Sequence, residues 1–273
     1  MSVYVSKALR EVYPEIVTIF EKYIPIKEID SPNLWPRDYM PIKIRDRFFK
    51  FHYKGYDGFP QLFVSEDCWK SFNAKLSWIV LDGGNVVQDN DTVFMTEQVF
   101  KNNSKILKND LKRFLSDIFD KKIIYIPVEF GDDLGHADGI IKFIDKKTVF
   151  INDYRSWVNQ NWYEYAIRLE DVLKKNGFDF VRFPWALKKC PIMTEKEFRQ
   201  AYPYGDDFNP GYGYYINYYQ TDKFLFVPHF DLMEDRLSME ILMDRFHKHE
   251  IVPLDCTHIS MLGGLINCIT WED

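Results

Sequence analysis

Cys268 is the side chain with the clearest capacity for chemistry, and it lies five residues before the last residue of the sequence. It follows two glycines, Gly263 and Gly264, in the segment 262–270. Glycine lets a backbone approach a ligand closely, and a chain end frays unless other segments hold it. The segment therefore predicts a nucleophilic thiol carried into a site. The alternative is a small hydrophobe in the core, which is the commoner role of a free cysteine.

Other polar side chains recur at glycine-marked turns or in irregular segments. Two of them, His136 and Asp138, are two residues apart on a predicted strand, so they would face the same way and could simply pair with each other. Asp82 precedes a Gly-Gly pair and could be a turn residue. The recurrence favours a shared site for the whole set: Asp38, Asp82, His136, Asp138 and Asn217.

These residues stand at the entrances of a repeated structural unit. Strand–turn–strand patterns begin at positions 42, 86, 140 and 214, and the fourth pattern contains Asn217. Helical patterns follow at 107–118, 163–175 and 237–246, and each leads into another apolar strand, while residues 3–30 give strand, helix and strand. The pattern predicts an α/β fold, a ring of ββαβ modules around one core, in a single domain spanning residues 1–273. Equivalent positions in such a ring converge on its axis.

Composition excludes several other classes of protein. The 273 residues are 46% hydrophobic and 17% aromatic, which is typical of a globular chain. No apolar run reaches the ~20 residues of a membrane span, and the net charge of −6 argues against nucleic acid as a partner. The first sixteen residues do not resemble a secretory signal, so we expect a cytoplasmic protein. Its oligomeric state is left open, with a homodimer compatible.

The cysteines indicate a reducing environment and no metal site. Cys68, Cys190, Cys256 and Cys268 show neither disulfide-scaffold density nor CxxC spacing. Cys256-Thr257-His258 is similar to half of a metal site, but no second half has ligand spacing. We therefore predict reduced thiols and no metal.

Five short motifs give the chain a resemblance to the guanidino-group-modifying, or pentein, superfamily, closest to agmatine deiminase and bacterial-type peptidylarginine deiminase. The resemblance runs from about Asp30 to the end of the sequence. It implies a five-bladed pseudo-symmetric α/β propeller of ββαβ modules, in agreement with the repeated units. In family order the motifs are Trp35-Pro36-Arg37-Asp38 for W-x-R-D, Asp82-Gly83-Gly84-Asn85 for E-G-G, Gly135-His136-Ala137-Asp138 for G-H-x-D, Tyr215-Ile216-Asn217 for S-Y-x-N, and Gly263 to Thr270 for G-G-G-x-H-C-x-T.

The resemblance implies a role for each of these residues. Asp38 and Asp138 would hold a planar guanidinium, whose N–H donors suit paired carboxylates. Cys268 would attack the guanidinium carbon, a poor electrophile that needs a strong nucleophile. His136, oriented by Asp82, would protonate departing ammonia and then activate water against the thiouronium intermediate.

Trp35 and Asn217 complete the implied substrate-binding set. The expected partner is a small cationic guanidino substrate, with agmatine first, and the reaction needs no cofactor. Deimination of peptidyl- or free arginine, and a non-catalytic pentein that binds a partner, are the alternatives.

Three departures from the family pattern limit the resemblance, and the abbreviated first unit leaves the choice of substrate open. Asn267 stands where the family has His, Asp82 stands for Glu and shortens the reach to His136 by one methylene, and the first unit looks abbreviated. The irregular stretch 184–211 predicts a lid or binding loop, with a poorly ordered surface excursion as the alternative. Its acidic residues, among them Asp206 and Asp207, would favour a substrate with a free amine.

Overall fold

The computed structural model describes residues 2–55, 64–130, 132, 134–156, 160–186 and 211–273. Within this part of the chain, the strands form five three-stranded sheets with one topology. In each sheet the middle strand is antiparallel to one neighbour and parallel to the other. The chain is therefore an α/β protein built from repeated units, as the sequence predicts.

The strands are short, and the sheet orders are β15-β1-β2, β3-β4-β5, β6-β7-β8, β9-β10-β11 and β12-β13-β14. The middle strands are the most buried, since all five residues of β7 are inaccessible to solvent or nearly so. The bounds are β1 Val3–Ser6, β2 Ile26–Ile29, β3 Ile42–Ile44, β4 Arg47–His52, β5 Lys75–Val80, β6 Val87–Gln88, β7 Thr92–Thr96, β8 Lys122–Ile126, β9 Ile141–Phe143, β10 Thr148–Asn152, β11 Asp179–Phe183, β12 Tyr219–Gln220, β13 Phe224–His229, β14 Glu250–Asp255 and β15 Trp271–Glu272.

The helices connect the parallel strand pairs or precede the sheets. The three predicted helical patterns are confirmed as α5 (Lys108–Phe119), α6 (Gln160–Lys175) and α7 (Met233–Arg245). Helix α7 begins earlier than predicted because the Asp235 carboxylate accepts the Leu232 and Phe230 backbone N–H groups. The bounds are α1 Lys7–Val12, α2 Pro14–Tyr23, α3 Pro36–Tyr39, α4 Gln98–Asn102, α5 Lys108–Phe119, α6 Gln160–Lys175, α7 Met233–Arg245 and α8 Thr257–Ser260, with 3-10 turns at Glu66–Cys68, Lys70–Phe72, Gly83–Asn85 and Tyr154–Ser156.

The first sheet has three strands like the others, and the expectation of an abbreviated first unit stays a prediction. Strand β15, at the end of the sequence, pairs antiparallel with β1 and occupies the outer position that β3 or β6 takes in other sheets. The Ser2 backbone N–H donates to Oδ1 of Asp273 over 2.7 Å. Trp271 is 3% exposed, and its indole N–H donates to the Pro41 carbonyl. The segment that carries Cys268 is thereby held on the fold rather than frayed.

Two further details differ from the sequence-based expectations. Asn217 lies two residues before β12 rather than within a strand. His136 and Asp138 lie in the irregular segment before β9 rather than on a strand. The expectation that strand geometry makes their side chains face the same way is therefore wrong. Their side chains instead contact different partners.

Most of the predicted lid lies outside the described residues, which stop at 186 and resume at 211. Asp206 and Asp207 belong to that part. Within the described residues, the helices are too short or too polar to cross a membrane.

Candidate active site

The predicted site residues occupy matching places, in the segment that leads into the first strand of each unit. Such segments are free of ladder hydrogen bonds, so their side chains and backbone groups can point into a common space. Asp38 lies in α3 before β3, Asp82 caps the 3-10 turn before β6, His136 and Asp138 precede β9, Asn217 precedes β12, and Cys268 precedes β15.

His136 is held by carboxylates at both ring nitrogens. Its Nε2 lies 3.2 Å from Oδ2 of Asp82, and its Nδ1 lies 3.6 Å from Oδ1 of Asp38. The His136 backbone N–H donates to Asp132 over 3.2 Å. Burial alone would lower the pKa of the imidazole, but Asp38 and Asp82 outweigh it and raise that pKa to about 10. The imidazole is therefore a cation at neutral pH.

Asp38 is a buried carboxyl whose pKa lies near neutral pH. Burial raises its pKa to about 7, with Asp138 and Asp82 adding to the rise and His136 opposing it. Its Oδ1 also accepts the Gly84 backbone N–H over 3.0 Å. Near neutral pH the Asp38 carboxyl is therefore only partly ionised. A cation bound beside it would favour the ionised form.

Asp82 contacts His136 and is itself held by a backbone group. One carboxylate oxygen contacts the imidazole, while the other accepts the Lys54 backbone N–H over 2.9 Å. Asp82 is 3% exposed. Although Asp82 is one methylene shorter than the family Glu, its carboxylate therefore still reaches His136.

Cys268 contacts Asp138 and Asn217. Its Sγ lies 3.7 Å from Oδ2 of Asp138 and 3.5 Å from Oδ1 of Asn217. Burial raises the pKa of the thiol well above its usual range, and the charges of Asp138 and Asp38 raise it further. The thiol is therefore protonated in the absence of a bound cation.

Glycines bring the segments into contact. A Cβ on Gly84 would lie 2.6 Å from both Oδ1 of Asp38 and Nδ1 of His136. A Cβ on Gly264 would lie 2.4 Å from the indole ring of Trp35. Trp35 is 7% exposed, and the backbone before Cys268 comes so close to its ring that a side chain at position 264 would collide with it.

Three polar residues beside the thiol were missed by sequence reasoning as members of the site. The Asn267 side-chain N–H donates to Oδ2 of Asp138 over 2.8 Å, the Arg37 Nε donates to the Asn267 carbonyl over 3.3 Å, and Nζ of Lys142 lies 3.4 Å from the Asn267 side-chain oxygen. One signal was available for Lys142, since it is the single charged residue in the apolar run 140–144.

The described part of the chain contains no group of three His, Cys, Asp or Glu side chains arranged to hold a metal ion. Cys256 and His258, the half-site noted in the sequence, lie at the start of and within α8. The arrangement at Cys268 is instead a buried thiol among three carboxyls and one imidazolium. Such a site suits a planar cation with several N–H donors.

The fold and the site together define a class: an α/β protein of five similar sheets whose connecting segments surround a buried thiol with acidic side chains. The chain belongs to the family described as Porphyromonas-type peptidyl-arginine deiminase, whose model matches residues 2–273. The resemblance seen in the five motifs is confirmed, and it extends further toward the start of the sequence than Asp30.

Curated relatives and solved structures agree with this membership. The chain is 26% identical to agmatine deiminase of Pseudomonas syringae pv. syringae over 209 residues, which are 71% of this chain and 56% of that protein. It is 24% identical to agmatine deiminase of Pseudomonas savastanoi pv. phaseolicola over 284 residues, which are 91% of this chain and 76% of that protein. The alignment thus spans little more than half the length of the first relative.

Solved structures share the fold. Agmatine deiminase of C. jejuni superposes with a TM-score of 0.74 at 20% identity, over 99% of this chain and 92% of that one. Agmatine deiminase of Enterococcus faecalis superposes with a TM-score of 0.75 at 16% identity, over 100% of this chain and 92% of that one.

Proposed function

We propose that the chain is a C–N hydrolase that deiminates a small cationic guanidino compound, with agmatine as the first candidate, through a covalent intermediate on Cys268. One observation carries the proposal. The Cys268 thiol contacts the Asp138 carboxylate in a site where His136 contacts both Asp38 and Asp82. We further propose that the five sheets are the blades of a pseudo-symmetric propeller, with this site on its axis.

Binding would use the two carboxylates nearest the thiol. Asp38 and Asp138 accept N–H groups from the guanidinium, and Trp35 and Asn217 line the same site as binding residues. The positive charge of the substrate offsets the burial and the like-charge repulsion that keep Asp38 partly protonated and the thiol un-ionised. The cation therefore activates its own nucleophile.

The first chemical step replaces a C–N bond by a C–S bond. Cys268 sulfur attacks the guanidinium carbon, and the imidazolium of His136 donates a proton to the departing nitrogen, which leaves as ammonia. The thiol proton passes to solvent when the cation binds, so this step yields the thiouronium adduct, ammonia and a neutral His136. The raised pKa of His136, about 10, keeps the imidazole charged and ready to donate at neutral pH.

The second step is hydrolysis of that adduct. Neutral His136 takes one proton from water, the water oxygen attacks the adduct carbon, and the C–S bond breaks after the C–O bond has formed. The ureido product leaves, and the remaining water proton restores the Cys268 thiol. Asp82 holds the imidazole in place through both steps.

The substrate assignment draws on the named relatives. Both curated proteins compared above are agmatine deiminases, whereas the family description names peptidyl-arginine. The latter observation favours a second candidate, deimination of arginine within peptides. The cytoplasmic location and the homodimer remain predictions from the sequence.

The test is an ammonia-release assay on the purified protein with agmatine, free arginine and an arginine peptide blocked at both ends. We expect release from agmatine above the other two, with equal molar amounts of ureido product. Preference for the blocked peptide would replace agmatine by the second candidate. Absence of release from every guanidino compound tested would overturn the enzymatic proposal.

A non-catalytic pentein that binds a partner is the remaining alternative, and alkylation of Cys268 separates it from an enzyme. The raised pKa predicts slow reaction with iodoacetamide in the free protein. Labelling is therefore compared with and without a non-hydrolysable alkylamidinium that leaves the sulfur accessible. Faster labelling of Cys268 with the cation supports activation by substrate, and an unchanged rate supports the binding module.

A further inference from the structure

A lysine is built into the site behind the proposed nucleophile. Lys142 lies on β9, four residues after Asp138, with its side chain partly buried. Its ammonium donates to the Tyr218 carbonyl and lies 4.5 Å from the centre of the Tyr218 ring. A lysine side chain gains little from such a position unless its charge has further partners, because burial penalises the charge.

The further partner is the side-chain amide of Asn267. Nζ of Lys142 lies 3.4 Å from Oδ1 of Asn267, and Nδ2 of the same amide donates to Oδ2 of Asp138 over 2.8 Å. An ammonium only donates hydrogen bonds and a carboxylate only accepts them. The two partners therefore determine which end of the amide faces the site.

The backbone of Asn267 is fixed as well. Its N–H donates to Oδ1 of Asn217 over 3.1 Å, and its carbonyl accepts from Nε of Arg37 over 3.3 Å. With the main chain held, rotation of the side-chain amide is the remaining freedom. Lys142 removes that freedom, because a turned amide would place an N–H group against the ammonium.

The fixed Asn267 amide affects the thiol through one oxygen of the Asp138 carboxylate. Oδ2 of Asp138 accepts from Asn267 and also lies 3.7 Å from Sγ of Cys268. An oxygen that already accepts a strong hydrogen bond holds the thiol proton less firmly. It also keeps the carboxylate turned toward the position of the guanidinium.

We propose that Lys142, acting through Asn267, is a positioning residue that orients the Asp138 carboxylate and releases the Cys268 thiol from it. The inference rests on the proposed function for its effect on turnover, but its effect on the thiol needs no substrate. It also accounts for Asn267, the departure from the family pattern next to the nucleophile. Lys142 and Asn267 act together, because the ammonium determines the orientation of the amide.

The test uses Lys142→Met, which keeps most of the length of the side chain and removes the charge. Lys121→Met is the matched control, because Lys121 is a partly buried lysine that bonds to Gln88 and Asp89, outside the site. The first readout is the rate of iodoacetamide alkylation at Cys268, measured by mass spectrometry of its peptide across a pH series without substrate. The second is kcat and KM for ammonia release.

We expect Lys142→Met to move the alkylation profile to higher pH and to lower kcat/KM by about tenfold to a hundredfold, the size of a small misplacement at a reacting centre. Lys142→Arg should restore part of both, and Lys121→Met should match the wild type. An alkylation profile of Lys142→Met that superimposes on the wild-type profile would overturn the inference.

A double-mutant cycle tests the route through Asn267. In an Asn267→Leu background, adding Lys142→Met should change neither readout further. Fully additive effects would mean that Lys142 acts on the thiol directly, which contradicts the proposal. If Lys142→Met does not fold, the test rests on Asn267→Leu alone. Its alkylation profile must then move to higher pH relative to the wild type, and an unshifted profile counts against the inference.

The two proposals fail in different ways. A wild-type protein without turnover, but with an alkylation shift in Lys142→Met, removes the enzymatic function and leaves the positioning role. A wild-type protein with turnover, but with no change in Lys142→Met, leaves the function and removes the positioning role.

Discussion

The thiol of Cys268 lies 3.7 Å from Oδ2 of Asp138, although 130 residues separate the two in the sequence. A carboxylate is an unfavourable neighbour for a thiolate, since like charges repel and the thiol pKa rises. The same carboxylate is a favourable neighbour for a guanidinium bound beside the sulfur. The contact therefore ties the reactivity of Cys268 to the presence of a cation.

Replacement of Cys268 by Ala should lower ammonia release by about a thousandfold or more, because no other group in the site can form the covalent bond. Ammonia release and thermal unfolding are measured together, and the midpoint of unfolding should change little. Cys68→Ala is the control, since Cys68 lies in a separate apolar cluster with Trp271 and Tyr39. Full turnover by Cys268→Ala would rule out the covalent route.

The pH dependence of turnover should have two limbs. Below about pH 7 the Asp38 carboxyl, whose pKa burial raises to about 7, takes up a proton and loses its charge, so KM for agmatine should rise as pH falls. Above about pH 10 His136 loses the proton that it would give to ammonia, because its pKa is raised to about 10, so kcat should fall. Steady-state kinetics across pH measure both limbs, and a KM independent of pH would contradict the role of Asp38.

Asp82→Asn should lower the pKa of His136, because the Asp82 carboxylate is one of the groups that raise it. The alkaline limb of kcat would then move to lower pH, and kcat would fall by up to about a hundredfold. Titration of the His136 ring resonances by NMR checks the pKa directly. Asp82→Glu keeps the charge and serves as the control. A His136 titration that is unchanged in Asp82→Asn would show that Asp82 does not hold the imidazole.

Gly84→Ala should disrupt the site through sterics alone. The added Cβ would lie 2.6 Å from Oδ1 of Asp38 and from Nδ1 of His136, so those groups must move apart. We expect kcat/KM to fall by about a hundredfold. Gly139→Ala is the matched control, because its Cβ would meet nothing nearer than a Tyr214 ring carbon at 4.0 Å. Equal activity in the two variants would contradict the close approach.

Trp271→Ala should destabilise the whole fold, because this residue joins the end of the sequence to the first sheet. The indole is 3% exposed, packs against Tyr4 and Phe72, and donates to the Pro41 carbonyl. Truncation of a buried tryptophan costs about 3–5 kcal/mol in the free energy of unfolding, measured by urea denaturation. Met233→Ala removes a side chain that is 82% exposed and should cost little. A similar loss in both variants would argue against a special role for β15.

The repeated units and the positions of Asp38, Asp82, His136, Asp138 and Cys268 were predictable from the sequence. Alternating apolar residues, helical spacing and glycine-bearing turns are local patterns, set by neighbouring residues and readable without the fold. Matching segments of similar units then predict that their side chains share a site. The resemblance carried by the five motifs added the guanidinium chemistry.

Three features required the folded chain. Strand β15 completes the first sheet by pairing with β1, and no local pattern in a two-residue strand signals a partner at the opposite end of the sequence. The contacts from Lys142 through Asn267 to Asp138 join segments that the sequence keeps far apart. The direction of each pKa shift depends on burial and on distances between charges. These quantities exist only once the units have packed together, because long-range distances are set by tertiary contacts rather than by the residues adjacent in sequence.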